Sequence, residues 1–107
     1  MAQDFTRYKA RLTGVTAATL FTANSNDTIV GISVANVTAS AVLASVYIND
    51  GANDFYLVKN APIPAGSALQ ILDGGAKVVV QSGDILKVVS DTASSLDTWV
   101  STVDAIS

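Results

Sequence analysis

The chain predicts an all-β fold: a single antiparallel β-sandwich, jelly-roll or Ig-like, of about eight strands. Three observations carry that prediction. Helix formers are scarce, with no glutamate and only six Lys and Arg in 107 residues, whereas Val, Ile and Thr are dense. Apolar residues alternate with small or polar ones, the period of a half-buried strand. Clusters of Gly, Asn, Asp and Ser break the chain roughly every ten residues, the spacing of a sandwich or small barrel.

Taken in order, the first strand is predicted at about Thr6–Thr13, with Tyr8, Ala10 and Leu12 on one side and Arg7, Lys9 and Arg11 on the other. Ala18–Ala23 follows, centred on Leu20 and Phe21. Asn24-Ser25-Asn26-Asp27 then turns the chain, because Asn and Asp tolerate left-handed backbone and bond their own main chain. Thr28–Asn36 gives the clearest strand, in which Val30, Ile32 and Val34 alternate with Gly31, Ser33 and Ala35. After a turn at Thr38-Ala39-Ser40, the strand Ala41–Asn49 should bury Val42, Ala44, Val46 and Ile48 and turn Leu43, Ser45, Tyr47 and Asn49 outward. Asp50-Gly51 predicts a hairpin with a primed turn, which needs positive φ, and Phe55–Asn60 should pair back.

Pro62 and Pro64 remove two backbone donors, so Ala61–Gly66 is expected to be an extended crossover between sheets and not part of a central strand. Ser67–Leu72, a turn at Asp73-Gly74-Gly75, Lys77–Gln81 and a turn at Ser82-Gly83-Asp84 come next. In Ile85–Ser90, burying Leu86 and Val88 is preferred, since the other register would bury Lys87. The last strand, about Asp97–Asp104, leaves two readings of Trp99 open: opposite Leu96, Thr98 and Val100 on the outer face, or the plug of the core.

A chain of this length is one domain, read as an N-terminal arm and first strand at 1–15 and a β-sandwich domain at 16–107. Charged residues make up 14%, against about 25% in an ordinary soluble domain. Such a surface is expected where partners cover it, as in an oligomer or larger assembly. The net charge of −3 is uneven: Arg7, Lys9 and Arg11 against Asp4 give +2 over residues 1–11, and three lysines against eight Asp give −5 over the rest. That rules out a broad basic face for nucleic acid. The first residues, MAQDFTRYKARL, hold no apolar core of a signal peptide, and no stretch approaches the ~20 apolar residues of a membrane span. Synthesis in the cytoplasm, no nucleic-acid partner and no membrane partner are expected.

Catalysis is not expected. There is no histidine and no cysteine, which removes the usual proton shuttle, thiol nucleophile and soft metal ligands. Asp73, Asp84 and Asp97 could be read as paired carboxylates for glycoside hydrolysis, but each sits at a strand end among turn residues. Asn49-Asp50-Gly51-Ala52-Asn53-Asp54 clusters hard oxygens as a Ca²⁺ loop would, yet lacks the spacing and bidentate Glu of an EF-hand and reads as a hairpin tip. Gly74-Gly75 and Gly83 read as tight turns, not a phosphate loop. No catalytic, metal or cofactor site is expected.

The remaining candidates are interface residues. Arg7, Lys9 and Arg11 share one face of an extended segment, either as a solvated edge that blocks strand aggregation or as an arm docking on an acidic partner. Trp99, on the outward reading, is an anchor, and Tyr47 and Tyr56 flank the hairpin and extend an aromatic patch.

Several segments resemble small virion structural proteins of tailed bacteriophages. They are Tyr56–Ser67, Leu72-Asp73-Gly74-Gly75, Lys77–Val80, Ser82–Val88 and Leu96–Ser101, together with the I-x-V-x-N-x-T run at Ile32–Thr38. The resemblance extends from about Thr16 to Val103. It implies a β-sandwich with an assembly role on the particle and no catalytic residues. On that basis the expected function is a capsid decoration (cement) protein in the virion, partnered by the major capsid protein or by tail proteins. A homo-oligomer is expected, with a trimer favoured because it suits a three-fold site between capsomers. A tail or neck component, or a fibre-type carbohydrate-binding module, is the alternative.

Overall fold

The computed structural model describes residues 2–24, 26–72 and 77–106, with side chains described for 5–24, 26–72 and 77–103. The predicted turn Asp73-Gly74-Gly75, the Asp73 carboxylate and Ser25 lie outside the described residues.

Among the described residues nine strands form two antiparallel sheets, a β-sandwich, with no helix. They are β1 (Ala2–Thr13), β2 (Ala18–Thr22), β3 (Asp27–Asn36), β4 (Val42–Asn49), β5 (Asp54–Ile63), β6 (Ala68–Leu72), β7 (Val78–Val80), β8 (Ile85–Ser90) and β9 (Leu96–Ile106). One sheet runs β1-β9-β3-β6, with β7 also paired to β3, and the other runs β2-β8-β4-β5. Consecutive strands therefore mostly alternate between sheets, and the apolar face of each is buried against the other.

The core is aliphatic. Ile29, Ile32 and Val34 of β3, Val42, Ala44 and Val46 of β4, Leu86 and Val88 of β8, and Leu96 and Val100 of β9 are all buried. Leu86 and Val88 face inward, as the cost of burying Lys87 predicts. Tyr8 stacks on Phe21 at 4.4 Å between ring centroids and closes the side where β1 passes over β2.

Register shifts in several strand pairs break simple alternation, burying Ser45 of β4 as well as its inward neighbours, and three departures bear on the predicted elements. In β3 the register against β9 shifts between Ile29 and Gly31, so Ile29 takes the buried position and Val30 is only half-buried. In β1 the register against β9 shifts between Ala10 and Thr13. Leu12 there adopts φ +52, donates its N–H to Asp97 Oδ1 at 2.9 Å and is exposed, whereas Thr13 turns inward. The alternation had placed Leu12 beside Tyr8 and Ala10. The β4–β5 hairpin closes over four residues, with Asp50 N–H bonded to Asn53 O at 3.1 Å, instead of through a two-residue primed turn. Only Gly51 of that loop has positive φ, and Asp50 Oδ1 accepts the N–H groups of Ala52 and Asn53, which favours the wider loop.

The proline segment also divides differently. Pro62 lies inside β5, opposite Leu43, which is tolerated because β5 is an edge strand and one of its backbone sides is free of ladder bonds. Pro64 begins the crossover to β6, so the switch between sheets occupies residues 64–67. Asn36 locks this switch from within. Its buried amide donates to Ser40 O (2.8 Å), Ile63 O (3.0 Å) and Pro64 O (3.3 Å), and its Oδ1 accepts from the N–H and Oγ1 of Thr38 (2.9 and 2.7 Å).

Thr98 is buried, and its Oγ1 has no hydrogen-bond partner. Thr98→Val removes an orphaned hydroxyl while keeping the shape. It is expected to be neutral or stabilising by up to about 1 kcal/mol in urea unfolding, where a loss of more than that would show a hidden partner.

Two turns each hold a carboxylate below its ordinary pKa. The backbone N–H groups of Asn53 and Ala52 hold Asp50 below its ordinary value of 3.8, and the Leu43 N–H with the Thr92 hydroxyl does the same for Asp91. Both groups bind protons more weakly folded than unfolded. Their contribution is therefore complete above 3.8 and disappears as pH falls through the lower folded-state values. The melting temperature is expected to drop across that acidic window, and the drop to shrink in Asp50→Asn and Asp91→Asn. An equal drop in both variants would assign it to other groups.

Candidate interface

The outer face of the β1-β9-β3-β6 sheet carries the strongest candidate site. Alternation along β9 turns Leu96, Thr98, Val100 and Thr102 inward, which leaves Trp99 outside at 50% exposure. Cross-strand pairing then sets its neighbours, with Lys9 on one side and Ser33 on the other. Arg7 lies two residues along β1 on the same face, its guanidinium 5.3 Å from the centre of the Trp99 ring, within the range where the cation is attracted to the π-face.

Because β3 presents only Ser33 and Ala35 here, the surface beside Trp99 sinks into an open groove of about 530 Å³. Lys9 and Arg11 rim one side, Asp97 and Trp99 stand in the middle, and Ser33 and Ala35 form the floor. The Asp97 carboxylate is engaged by the Leu12 N–H. Further along the same face, Phe5 is 80% exposed, and a shallower depression runs between Phe5, Arg7 and Ser101.

Of the six candidate interface residues, Arg7, Lys9, Arg11 and Trp99 are brought together on this face. Tyr47 and Tyr56 are on the other sheet. They are cross-strand partners with ring centroids 5.0 Å apart. Tyr47 is buried at 9% exposure, and that burial, with the charge of Asp54 second, pushes its hydroxyl pKa upward. Tyr56 is the exposed member, and Lys59 Nζ is 5.0 Å from its ring centre. The tyrosines thus form a separate, smaller patch on the opposite surface.

Phe5, Phe55, Ser33 and Ala35 were not legible as site residues. Gly31, Ser33 and Ala35 stand out in sequence only as small residues in a strand; that they leave a trough depends on which strands flank them. The oxygens of the Asn49–Asp54 loop bond within the hairpin: Asn49 Oδ1 accepts from Gly51 N–H, and Asp54 Oδ1 accepts from Asn49 Nδ2. Asp84 Oδ2 accepts from Gln81 N–H at its own turn, and register sets it at the opposite end of the sandwich from Asp97. No group of three or more potential metal-ligating side chains occurs among the described residues.

No protein-family model and no curated protein matches the chain. Among solved structures, the chain is similar to a subunit described by the words "Bacillus endospore appendages form a novel family of disulfide-linked pili". That likeness has a TM-score of 0.57 at 16% identity and covers 95% of this chain and 84% of that one. A pentameric capsid protein isolated from metagenomic phage sequences aligns at TM-score 0.48 and 18% identity, over 91% of this chain and 60% of that one. The infectious bursal disease virus Gt strain structure aligns at 0.41 and 14%, over 94% and 30%. The appendage likeness bears on fold alone and agrees with the two-sheet architecture; the two capsid alignments carry no argument.

Proposed function

We propose that the chain is a non-enzymatic structural protein of a phage particle, a decoration subunit that docks on the assembled head. The observation that carries this reading is the outer face of the β1-β9-β3-β6 sheet, where Trp99 and Phe5 are exposed among Arg7, Lys9 and Arg11. A half-exposed Trp flanked by cations has the composition of an interface anchor, not of a solvated surface. The sequence resemblance to virion proteins supports the particle setting. Residues 1–15 act on this reading as the docking element, through the outward side chains of β1. The strand order β1-β9-β3-β6 over β2-β8-β4-β5 supports a jelly roll as the finer description of the sandwich. The sequence holds no cysteine, so assembly through it would use no disulfides, unlike the disulfide-linked appendage it resembles in fold.

Cosedimentation with heads and with tails of a disrupted tailed phage tests the proposal. Saturable binding to heads, weakened by Arg7→Glu and by Trp99→Ala, is expected. Binding to tails alone would move the protein to the tail or neck. Binding to neither would overturn the particle reading and favour a carbohydrate-binding module, which a glycan array would then detect.

A further inference from the structure

Carboxylates gather at one end of the sandwich, whereas at the other Lys9 and Arg11 accompany Asp97. Pairing of Asn49 with Asp54 and Ile85, and of Thr22 with Ile85, brings the β4–β5 hairpin tip and the Asp84 turn to one end. Asp27, at the start of β3, is at that end too, since the short β2–β3 connection joins it to Thr22. Asp50 and Asp54 are exposed at the tip, and Phe55 beside them is 56% exposed. The groove rimmed by Lys9 and Arg11 is at the opposite end, where Ala35 pairs with Asp97 and Asn36 with Leu96. β3 spans the two ends with ten residues, roughly 30 Å at about 3.3 Å per residue.

The acidic tip and the basic groove of one molecule are therefore too far apart to meet, and they lie on different sheets. They complement each other in two independent ways. Asp50 and Asp54 oppose Lys9 and Arg11, which outnumber the groove carboxylate Asp97, already engaged by the Leu12 N–H, and the exposed Phe55 matches the exposed Trp99 in apolar character. A hairpin tip is also narrow, two strands about 5 Å apart, which suits an open trough floored by Ser33 and Ala35.

We propose that the groove receives the β4–β5 hairpin tip of a second copy of this chain, joining subunits head to tail. The occupant is a second copy, not another acidic protein, because the chain itself carries the complementary element at the other end of the same body. The alternative self-contact, two β1 edges pairing antiparallel, would set Arg7, Lys9 and Arg11 against their own copies, and like charges across strands are repulsive. Two different patches in contact make a heterologous interface, the kind that closes a cyclic trimer or other ring, or else propagates a filament. This deepens the assembly part of the proposed function and rests on that reading only in taking the chain to work as a subunit among copies.

Sedimentation velocity of the purified chain tests the inference without any phage particle. The wild type is expected to associate with rising concentration, and less so at high ionic strength. Lys9→Glu with Arg11→Glu reverses the groove, and Asp54→Lys reverses the tip while leaving Asp50 to hold its turn. Each variant alone is expected to associate roughly tenfold more weakly or worse, and mixing the two should restore association. Ala35→Leu fills the groove without changing charge and should weaken association as well, with unfolding curves confirming that all variants are folded. A wild type that stays monomeric, or variants that associate as the wild type does, would overturn the inference. A monomer that still binds heads would overturn the inference alone, and association without particle binding would overturn only the particle reading.

Discussion

Asn36→Ala is expected to cost about 3 kcal/mol or more of unfolding free energy, the largest effect of any polar substitution in the described structure. The side chain is buried at the end of β3, where its amide satisfies the carbonyls of Ser40, Ile63 and Pro64 and its Oδ1 satisfies the N–H of Thr38. Truncation leaves the buried Ile63 carbonyl without its donor, an orphaned polar group of the kind that typically costs about 1–3 kcal/mol, and removes the part-buried bonds to Ser40, Pro64 and Thr38 as well. It also disconnects the β3–β4 turn from the crossover that carries the chain from β5 to β6. Asn36→Asp should be at least as damaging, because it turns an acceptor toward carbonyl oxygens. Thr38→Ala loses only the hydroxyl's bonds, at a more exposed position, and should cost about 1 kcal/mol. Urea unfolding at constant m-value checks the series. A loss below about 1 kcal/mol for Asn36→Ala would show that the turn reorganises around the gap.

Ile32→Ala is expected to cost about 2–5 kcal/mol, whereas Trp99→Ala should cost about 1 kcal/mol or less. The two sites are one register step apart, Ile32 opposite Val100 and Ser33 opposite Trp99, but they point to opposite faces of the sheet. Ile32 is fully buried between the sheets, so truncation leaves a cavity that packed strands cannot close. Trp99 has its Arg7 contact and half its surface covered, so little folding energy depends on it. Its removal should show instead in assembly and docking, where a buried aromatic anchor commonly dominates binding. Equal destabilisation by both substitutions would make Trp99 a structural residue and withdraw it from the interface.

Much of the sandwich was legible from local chemistry. Alternation in Ala41–Asn49 marked Val42, Ala44 and Val46 for the core because a strand has only two faces, and Lys87 fixed the register of β8 because a buried lysine is costly. The basic stripe of β1 was legible for the same reason: Arg7, Lys9 and Arg11 are spaced by two. Other features had no local signal. The pairing of β3 and β1 with β9 shifts register at Ile29–Gly31 and Ala10–Thr13, so Val30 and Leu12 lost the places that simple alternation allotted them. Pro62 could join a strand only because β5 became an edge, a property of sheet order and not of sequence.

The site divides along the same line. By itself the sequence determined the chemistry: a charge-poor chain without histidine or cysteine, a basic first strand, an acidic remainder and a single tryptophan. Only the tertiary structure decided the arrangement. Pairing of β9 with both β1 and β3 set Trp99 between Lys9 and the small residues of β3, opened the groove beside it and sent the tyrosine pair to the opposite sheet. The physical reason is that strand alternation chooses a face from neighbours in sequence, whereas a groove is made by side chains on different strands, and which strands lie side by side is decided when two sheets bury their apolar faces together.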